Sequence, residues 1–99
     1  MMTKTFHDRL TEDRRLVLLR ILAELPGYRS NSSVLTNLLD GFGHTVSKDY
    51  VKTQLHWLAE QELVSVQDLD GLKLATLTER GHDVQRGLAD VPGVARPGA

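Results

Sequence analysis

Four polar side chains recur at helical spacing near the middle of the chain: Lys48, Lys52, Thr53 and His56. Residues three to four positions apart lie on one side of a helix, so these side chains would share a face. Ammonium groups bind phosphate oxygens or guanine, and hydroxyl and imidazole groups hydrogen-bond to base edges in the major groove. The pattern therefore predicts contact with double-stranded DNA. The alternative is an ordinary solvated helix face, because mixed polar side chains are common there.

A second polar cluster, residues 29–33, precedes and opens another predicted helix. Hydroxyl and amide side chains beside the free N–H groups of a helix start can bind a phosphate. We therefore expect Arg29 and Ser32 to hold the backbone of a nucleic acid. Plain capping of the helix by Ser30 or Asn31 accounts for the same composition, so this alternative stays open.

The residue patterns of enzymes and metal sites are missing from the chain. It contains no cysteine, which excludes thiolate ligands, and its four histidines lack the spacing of a zinc site. No Gly-rich phosphate loop or Ser-His-Asp order is visible. We expect no enzymatic activity, no cofactor and no bound metal. No apolar run is long enough to span a membrane, and we expect a cytoplasmic location.

The lysine face belongs to the third of the predicted helices. Ser47 can accept a hydrogen bond from an early helical N–H, and it therefore caps this helix. The side opposite Lys48 and Lys52 is an apolar stripe of the kind that packs against a core. The stripe consists of Val51, Leu55, Leu58 and Ala59. Trp57 is expected to cover the edge of this core, because tryptophan is usually well buried.

Two helices are predicted upstream of this one. The first runs from about Thr11, a suitable cap, to Leu25, and the Pro-Gly pair at residues 26–27 ends it. The second covers residues 31–40 and needs a buried side of its own to pack in the same core. That side consists of Val34, Leu35, Leu38 and Leu39.

The C-terminal half is predicted to contain a hairpin and a final helix. Residues 63–67 and 72–76 alternate as strands, and the Asp-Gly pair at residues 70–71 is a strong turn signal. Thr78 caps a helix over residues 79–88. Residues 91–99 have no periodicity and contain two prolines and two glycines, so we expect a mobile tail. The predicted organisation is an N-terminal arm (1–10), one domain (11–90) and a flexible tail (91–99).

The order of these elements resembles winged helix-turn-helix domains of the ArsR and MarR type. The family's L-x-x-L-x-x-x-G-L-V joint and its L-T-x-x-G helix start are matched at Leu55, Leu58, Leu63, Val64, Leu77, Thr78 and Gly81. Glu62 stands where the family usually has glycine, so the local turn is expected to differ. The resemblance covers residues 10–90. It implies an α+β, mostly helical fold with three helices, a β-hairpin and a fourth helix.

The whole chain is also similar to small winged-helix proteins of Mu-like prophages, which are often labelled ArsR-like regulators. The shared stretches are residues 26–29, 43–47, 58–61 and 91–97. This likeness implies little about mechanism. From the winged-helix pattern and the polar face of the third helix we expect a phage-type transcription regulator that binds duplex DNA through that helix. A homodimer would suit this function, because paired half-sites multiply the specificity of one short helix. The alternative is a protein-interaction winged helix, with a phage packaging or assembly protein as its partner and no direct DNA binding.

Charge is distributed unevenly along the chain, whose net charge is −1. Residues 1–58 contain eight basic and six acidic side chains, whereas residues 59–90 contain three basic and seven acidic ones. The mildly basic helical half suits phosphate contact better than the total does. Asp68 and Asp70 at the hairpin tip would repel phosphates, so we expect the hairpin to stay out of a groove. The acidic hairpin would equally suit a basic protein partner.

Overall fold

The computed structural model describes residues 3–98, which contain four α-helices and three β-strands. The helices are α1 (Phe6–Glu24), α2 (Ser32–Gly41), α3 (Lys48–Glu60) and α4 (Glu79–Gln85). The strands are β1 (Arg29–Asn31), β2 (Val64–Leu69) and β3 (Leu72–Leu77). A 3-10 turn, Pro26–Tyr28, joins α1 to β1. This α+β arrangement of three helices, a hairpin and a fourth helix confirms the predicted winged helix.

The first helix begins earlier than predicted, at Phe6 and not at Thr11. Thr5 and Asp8 form a capping box: Asp8 N donates to Thr5 Oγ1 at 3.0 Å, and Thr5 N donates to Asp8 Oδ2 at 3.1 Å. These backbone and side-chain bonds hold the pKa of the Asp8 carboxyl below its usual value. The expected N-terminal arm is therefore helical from Phe6 onward, because a better cap precedes the one chosen from the sequence.

Capping also accounts for the starts of α2 and α3, at the residues that the sequence indicates. Asn31 Oδ1 accepts a hydrogen bond from Val34 N at 2.9 Å, and Ser47 Oγ accepts one from Tyr50 N at 3.0 Å. In α2 the predicted inward side is wrong at Val34, which is exposed, whereas Leu35 is completely buried. Adjacent helical residues point about 100° apart, so only the leucine of this pair reaches the core.

The three strands form one antiparallel sheet in the order β1-β3-β2. β2 and β3 pair along their whole length up to Leu69 and Leu72, so only Asp70 and Gly71 remain in the turn. Both turn residues have positive φ, 51° and 84°, as a two-residue type I′ hairpin requires. The strands are thus longer than predicted. β1 was not predicted, because three residues show no periodicity and their extended backbone depends on pairing with β3.

The core lies between the helices and the inner face of the sheet. Leu55 and Leu58 of α3 and Leu22 of α1 are completely buried, and each contributes about 1.5–3 kcal/mol through removal from water. The remaining side chains of this core come from helices, strands and other segments: Leu16, Leu18, Leu19, Ile21, Leu35, Leu39, Val51, Leu63, Val64, Ala75, Leu77, Val84, Val91 and Val94. Within residues 3–98, no helix has the length and apolar character needed to cross a membrane.

The C-terminal segment is irregular, as predicted, but it packs against the domain. Val91 and Val94 are buried in the core, and Ala95 N donates a hydrogen bond to Glu12 O of α1 at 3.1 Å. The segment is therefore packed on the domain and is not separate from it, whereas its prolines and glycines suggested a separate tail; its mobility stays a prediction. Two valines three positions apart form no periodic pattern, so the sequence alone does not predict this packing.

Glu62 joins α3 to β2 with a left-handed backbone, φ 63°, at the position where the family usually has glycine. This conformation costs a non-glycine residue about 1–2 kcal/mol. Hydrogen bonds on both sides hold it: Thr78 Oγ1 donates to Glu62 O at 2.7 Å, and Leu63 N donates to Leu58 O at 3.0 Å. The joint therefore keeps the glycine-type turn without the glycine.

Candidate nucleic-acid interface

The face of α3 that turns away from the core carries all four polar residues predicted there. Lys48, Thr53 and His56 are exposed and Lys52 is half-buried. Thr53 Oγ1 donates to the carbonyl oxygen of Asp49 at 3.1 Å, which leaves the hydroxyl oxygen free to accept. His56 Nε2 lies 3.8 Å from Glu60 Oε2, one helical turn away. The face thus presents donors and acceptors on a regular helix.

The two lysines of this face are available to an outside anion. Within residues 3–98, no carboxylate oxygen lies within 4.0 Å of the ammonium group of Lys48 or Lys52. They stand one helical turn apart, a spacing that allows both ammonium groups to approach the same stretch of phosphate backbone. Asp49 lies between them in the first turn, where its negative charge interacts favourably with the helix dipole. The same charge reduces the local positive charge of this face.

A polar network from α1 fixes the start of α3. Arg14 Nε donates to His44 Nδ1 at 3.3 Å, and His44 Nε2 lies 3.2 Å from Asp13 Oδ2. The acceptor role of Nδ1 implies that the proton sits on Nε2, which then donates to the aspartate. Arg14 also reaches Tyr50, with its guanidinium carbon 5.3 Å from the ring centroid. Sequence reasoning missed this buried His44, because nothing in its neighbourhood signals a partner thirty residues upstream.

A second arginine of α1 fixes the end of α3. The guanidinium of Arg15 lies over the Trp57 ring at 3.8 Å and donates to Gln54 Oε1 at 2.7 Å. It also donates to the carbonyl oxygen of Gly93 at 2.9 Å, which ties the C-terminal segment to both helices. Burial lowers the pKa of Arg15, although a guanidinium remains charged at neutral pH. Trp57 covers the edge of the core, as predicted, and the cation that stacks on it was not predicted.

The hairpin formed by β2 and β3, called the wing below, carries a basic residue that the sequence analysis missed. Lys73 stands opposite Asp68 across the strands, and its ammonium nitrogen lies 2.9 Å from Asp68 Oδ2. The hydrogen bond and charge of Lys73 hold the pKa of the Asp68 carboxyl below its usual value, and the charge of Lys52 lowers it further. The two-residue turn would have predicted this pairing, since it sets the register.

The two residues expected to hold a nucleic-acid backbone before α2 do not lie together at the surface. Ser32 is 0% exposed, and its Oγ accepts a hydrogen bond from Lys73 N at 3.2 Å. The role predicted for Ser32 is therefore wrong, because its hydroxyl joins α2 to the wing. Arg29 is exposed in β1 opposite Thr76, three positions along β3 from Lys73, or about 10 Å at the usual rise of a strand. Arg29 thus lies near the base of the wing.

The amino-acid sequence is similar to those of two uncharacterized proteins. No protein-family model matches the chain. It is 53% identical over 91 residues to the uncharacterized protein gp26 of Escherichia phage Mu, covering 92% of this chain and 94% of gp26. It is 44% identical over 77 residues to an uncharacterized Haemophilus influenzae protein, covering 77% of this chain and 74% of that protein.

Two solved structures share the fold at low sequence identity. The complex structure of hsRosR-S1 has 20% identity and a TM-score of 0.62, covering 84% of this chain and 81% of that one. The complex structure of hsRosR-S4 also has 20% identity, with a TM-score of 0.59 over 80% and 76% of the two chains. These likenesses support a winged helix in the broad sense and leave the narrower ArsR or MarR assignment as a prediction. The chain belongs to the family of the phage Mu protein gp26, and its fold is a winged helix.

Proposed function

We propose that this protein binds duplex DNA as a phage-type transcription regulator, with α3 as its recognition helix in the major groove. One observation carries the proposal. The apolar stripe of α3 packs against the core, and the opposite face is polar, with two lysines that have no carboxylate partner within residues 3–98. Docking a helix in the major groove requires a regular helix held rigidly from behind, with side chains that reach phosphates and base edges. The arginine contacts at both ends of α3 provide that support.

The proposal assigns separate roles to the residues of the α3 face. Lys48 and Lys52 bind phosphates or guanine, and Thr53 and His56 contact base edges. Arg29 reaches the backbone only if the duplex extends toward the base of the wing. Ser32 has no direct contact, since it is buried. Neither a catalytic step nor a cofactor is part of the proposal.

The wing contributes to the proposed complex through an exchange of partners. Lys73 is held by Asp68 in the free protein, so a phosphate that approaches the wing has to displace that carboxylate. The paired aspartate opposes DNA less than a free one would, because its charge is already compensated. Asp70 in the turn remains unpaired within residues 3–98, and its charge keeps the tip itself away from phosphates.

Fluorescence anisotropy with a random duplex at roughly 50 and 200 mM salt tests the proposal, because phosphate contacts make affinity fall steeply with salt. Wild-type protein should bind, and the K48A/K52A variant should bind more weakly, with a salt slope smaller by about two units for each protomer on the duplex. The control variant, R9A/R86A, removes two exposed positive charges on α1 and at the end of α4 and should bind nearly as wild type does.

Two outcomes would contradict the proposal. If K48A/K52A keeps the wild-type affinity and salt slope, α3 does not face the DNA. If the wild type binds no duplex even at the lower salt, the alternative of a phage protein partner takes its place. Unchanged circular dichroism of both variants would show that the comparison is made on folded protein.

A further inference from the structure

An apolar groove between α1 and the end of α2 has no role in the proposed DNA complex. Its volume is about 420 Å³. Four apolar side chains line it, and its polar rim consists of exposed Arg20 and Glu24 of α1 together with Gln85 of α4. We call it the Phe42 groove and define it by Arg20, Ile21, Glu24, Leu25, Leu38 and Phe42. An exposed apolar surface with a polar rim is typical of a protein-binding site.

Phe42 projects from this surface on a well-ordered turn. Its side chain is 64% exposed, although a phenylalanine next to a groove has apolar neighbours on which it could fold. Three backbone hydrogen bonds hold the turn: Phe42 N to Leu39 O at 3.0 Å, Gly43 N to Asp40 O at 2.9 Å and His44 N to Leu39 O at 3.0 Å. The ring is therefore presented to solvent by a fixed backbone. The exposed aromatic ring thus lies next to an apolar groove.

The charges at the rim form a self-complementary pair. Arg20 and Glu24 lie one turn apart on the same side of α1, and both are exposed. Within residues 3–98 neither has an oppositely charged partner closer than 4.0 Å, in spite of the spacing that favours a pair. A twofold axis between two antiparallel copies of α1 would bring Arg20 of each protomer to Glu24 of the other. A twofold axis that brings one Phe42 ring to the groove of the other protomer makes that contact twice.

We propose that a second copy of this chain occupies the Phe42 groove, so that the protein forms a homodimer about a twofold axis. In such an interface the same patch serves both protomers, and a projection and a hollow on one face are what this symmetry needs. A stable interface buries about 800 Å² per partner, roughly an eighth of the 6110 Å² surface of this chain. The groove supplies only the centre of that area, so the dimer should be reversible. The proposal does not depend on DNA binding.

Sedimentation equilibrium without DNA tests the aromatic contact at roughly 5–500 µM protein, where interfaces of modest size dissociate. The wild type should pass from monomer to dimer across this range. Phe42→Ser should remain monomeric with an unchanged circular dichroism spectrum, because the ring is exposed. Phe6→Ser is the matched control: this phenylalanine is 81% exposed, lies outside the groove and should dimerise as the wild type does.

Charge exchange tests the identity of the occupant. R20E and E24R each place like charges opposite one another in a homodimer, so each variant alone should be monomeric. An equimolar mixture of the two should dimerise again, because every contact then joins opposite charges, and the double exchange R20E/E24R should dimerise by itself. Three results would each overturn the proposal. The wild type could stay monomeric at every concentration, Phe42→Ser could dimerise as the wild type does, or the mixture of R20E and E24R could fail to associate. None of these results depends on whether the protein binds DNA.

Discussion

Gly81→Ala sets helix propensity against packing in the first turn of α4. Gly81 is buried, and its N–H donates to the cap residue, Thr78 Oγ1, at 3.0 Å. Its backbone is helical, so alanine can adopt it without strain, and propensity alone predicts a gain of about 1 kcal/mol. The surroundings predict the opposite. A Cβ at this position would overlap the carbonyl oxygen of Leu63 and would lie 2.5 Å from Leu77 Cδ1.

The loss of stability in Gly81→Ala depends on how easily the Leu63 carbonyl can move. The Leu63 carbonyl accepts a hydrogen bond from Thr78 N at 3.1 Å, and the Leu63 side chain is completely buried. The carbonyl therefore cannot move away from a Cβ at residue 81 without disturbing these contacts. Overpacking of a core costs about 1–3 kcal/mol, and a weakened hydrogen bond adds about 1 kcal/mol. After the gain from propensity, the free energy of unfolding should fall by about 2 kcal/mol. In a domain of this size that lowers Tm by roughly 8–16 °C.

Urea unfolding and calorimetry of Gly81→Ala measure this difference directly. Gly41→Ala is the control, because Gly41 ends α2 and a Cβ there would meet no neighbouring atom within 4 Å. That substitution should leave stability unchanged or raise it by up to about 1 kcal/mol. The reasoning fails if Gly81→Ala is as stable as the wild type or more stable, since α4 would then stand farther from Leu63 than the structure places it.

Two further substitutions test the C-terminal segment and the wing. Val94→Ala should lower the free energy of unfolding by about 2 kcal/mol through lost burial, whereas a detached tail would change it by less than about 0.5 kcal/mol; urea unfolding, with exposed Leu88→Ala as the control, decides between them. Lys73→Ala should raise the pKa of Asp68 toward its usual value, measured by carboxyl NMR against pH. Because the folded pKa is lowered, the contribution of this pair to stability is present above the ordinary aspartate pKa and disappears as pH falls through the folded one. If the titration midpoint of Asp68 is the same in Lys73→Ala as in the wild type, the pairing of Asp68 with Lys73 is contradicted.

Features set by neighbouring residues could be predicted from the sequence. The caps Asn31, Ser47 and Thr78, the buried stripe of α3 and the turn at residues 70–71 all depend on contacts within one helical turn or one hairpin. Their residue types therefore carry the signal directly. The polar face of α3 could be predicted for the same reason, because it is the side that the apolar stripe leaves free.

Features set by distant parts of the chain could not be predicted. The burial of Ser32 depends on Lys73, forty-one residues away, and the extended backbone of β1 depends on β3. The packing of residues 91–98 depends on α1, where Arg15 and Glu12 supply its hydrogen-bond partners. In each case the local sequence fits an exposed irregular segment equally well, and only the contacts with distant residues distinguish the two.

The same long-range contacts change what the charge count means for DNA binding. Of the basic residues in the helical half, Arg14 and Arg15 are engaged with side chains of the domain, and Lys4 pairs with Glu12 at 2.9 Å. The free charge of the α3 face is that of Lys48 and Lys52, and exposed Arg29 lies apart from it near the base of the wing. Two phosphate contacts give a salt slope of only about −2, weak for a regulator. A dimer that places two α3 helices on one duplex would double the slope to about −4. If the salt slope is near −4 for the wild type and about −2 for Phe42→Ser, the dimer formed through Phe42 is the species that binds DNA. If Phe42→Ser leaves the salt slope unchanged, each protomer binds DNA alone.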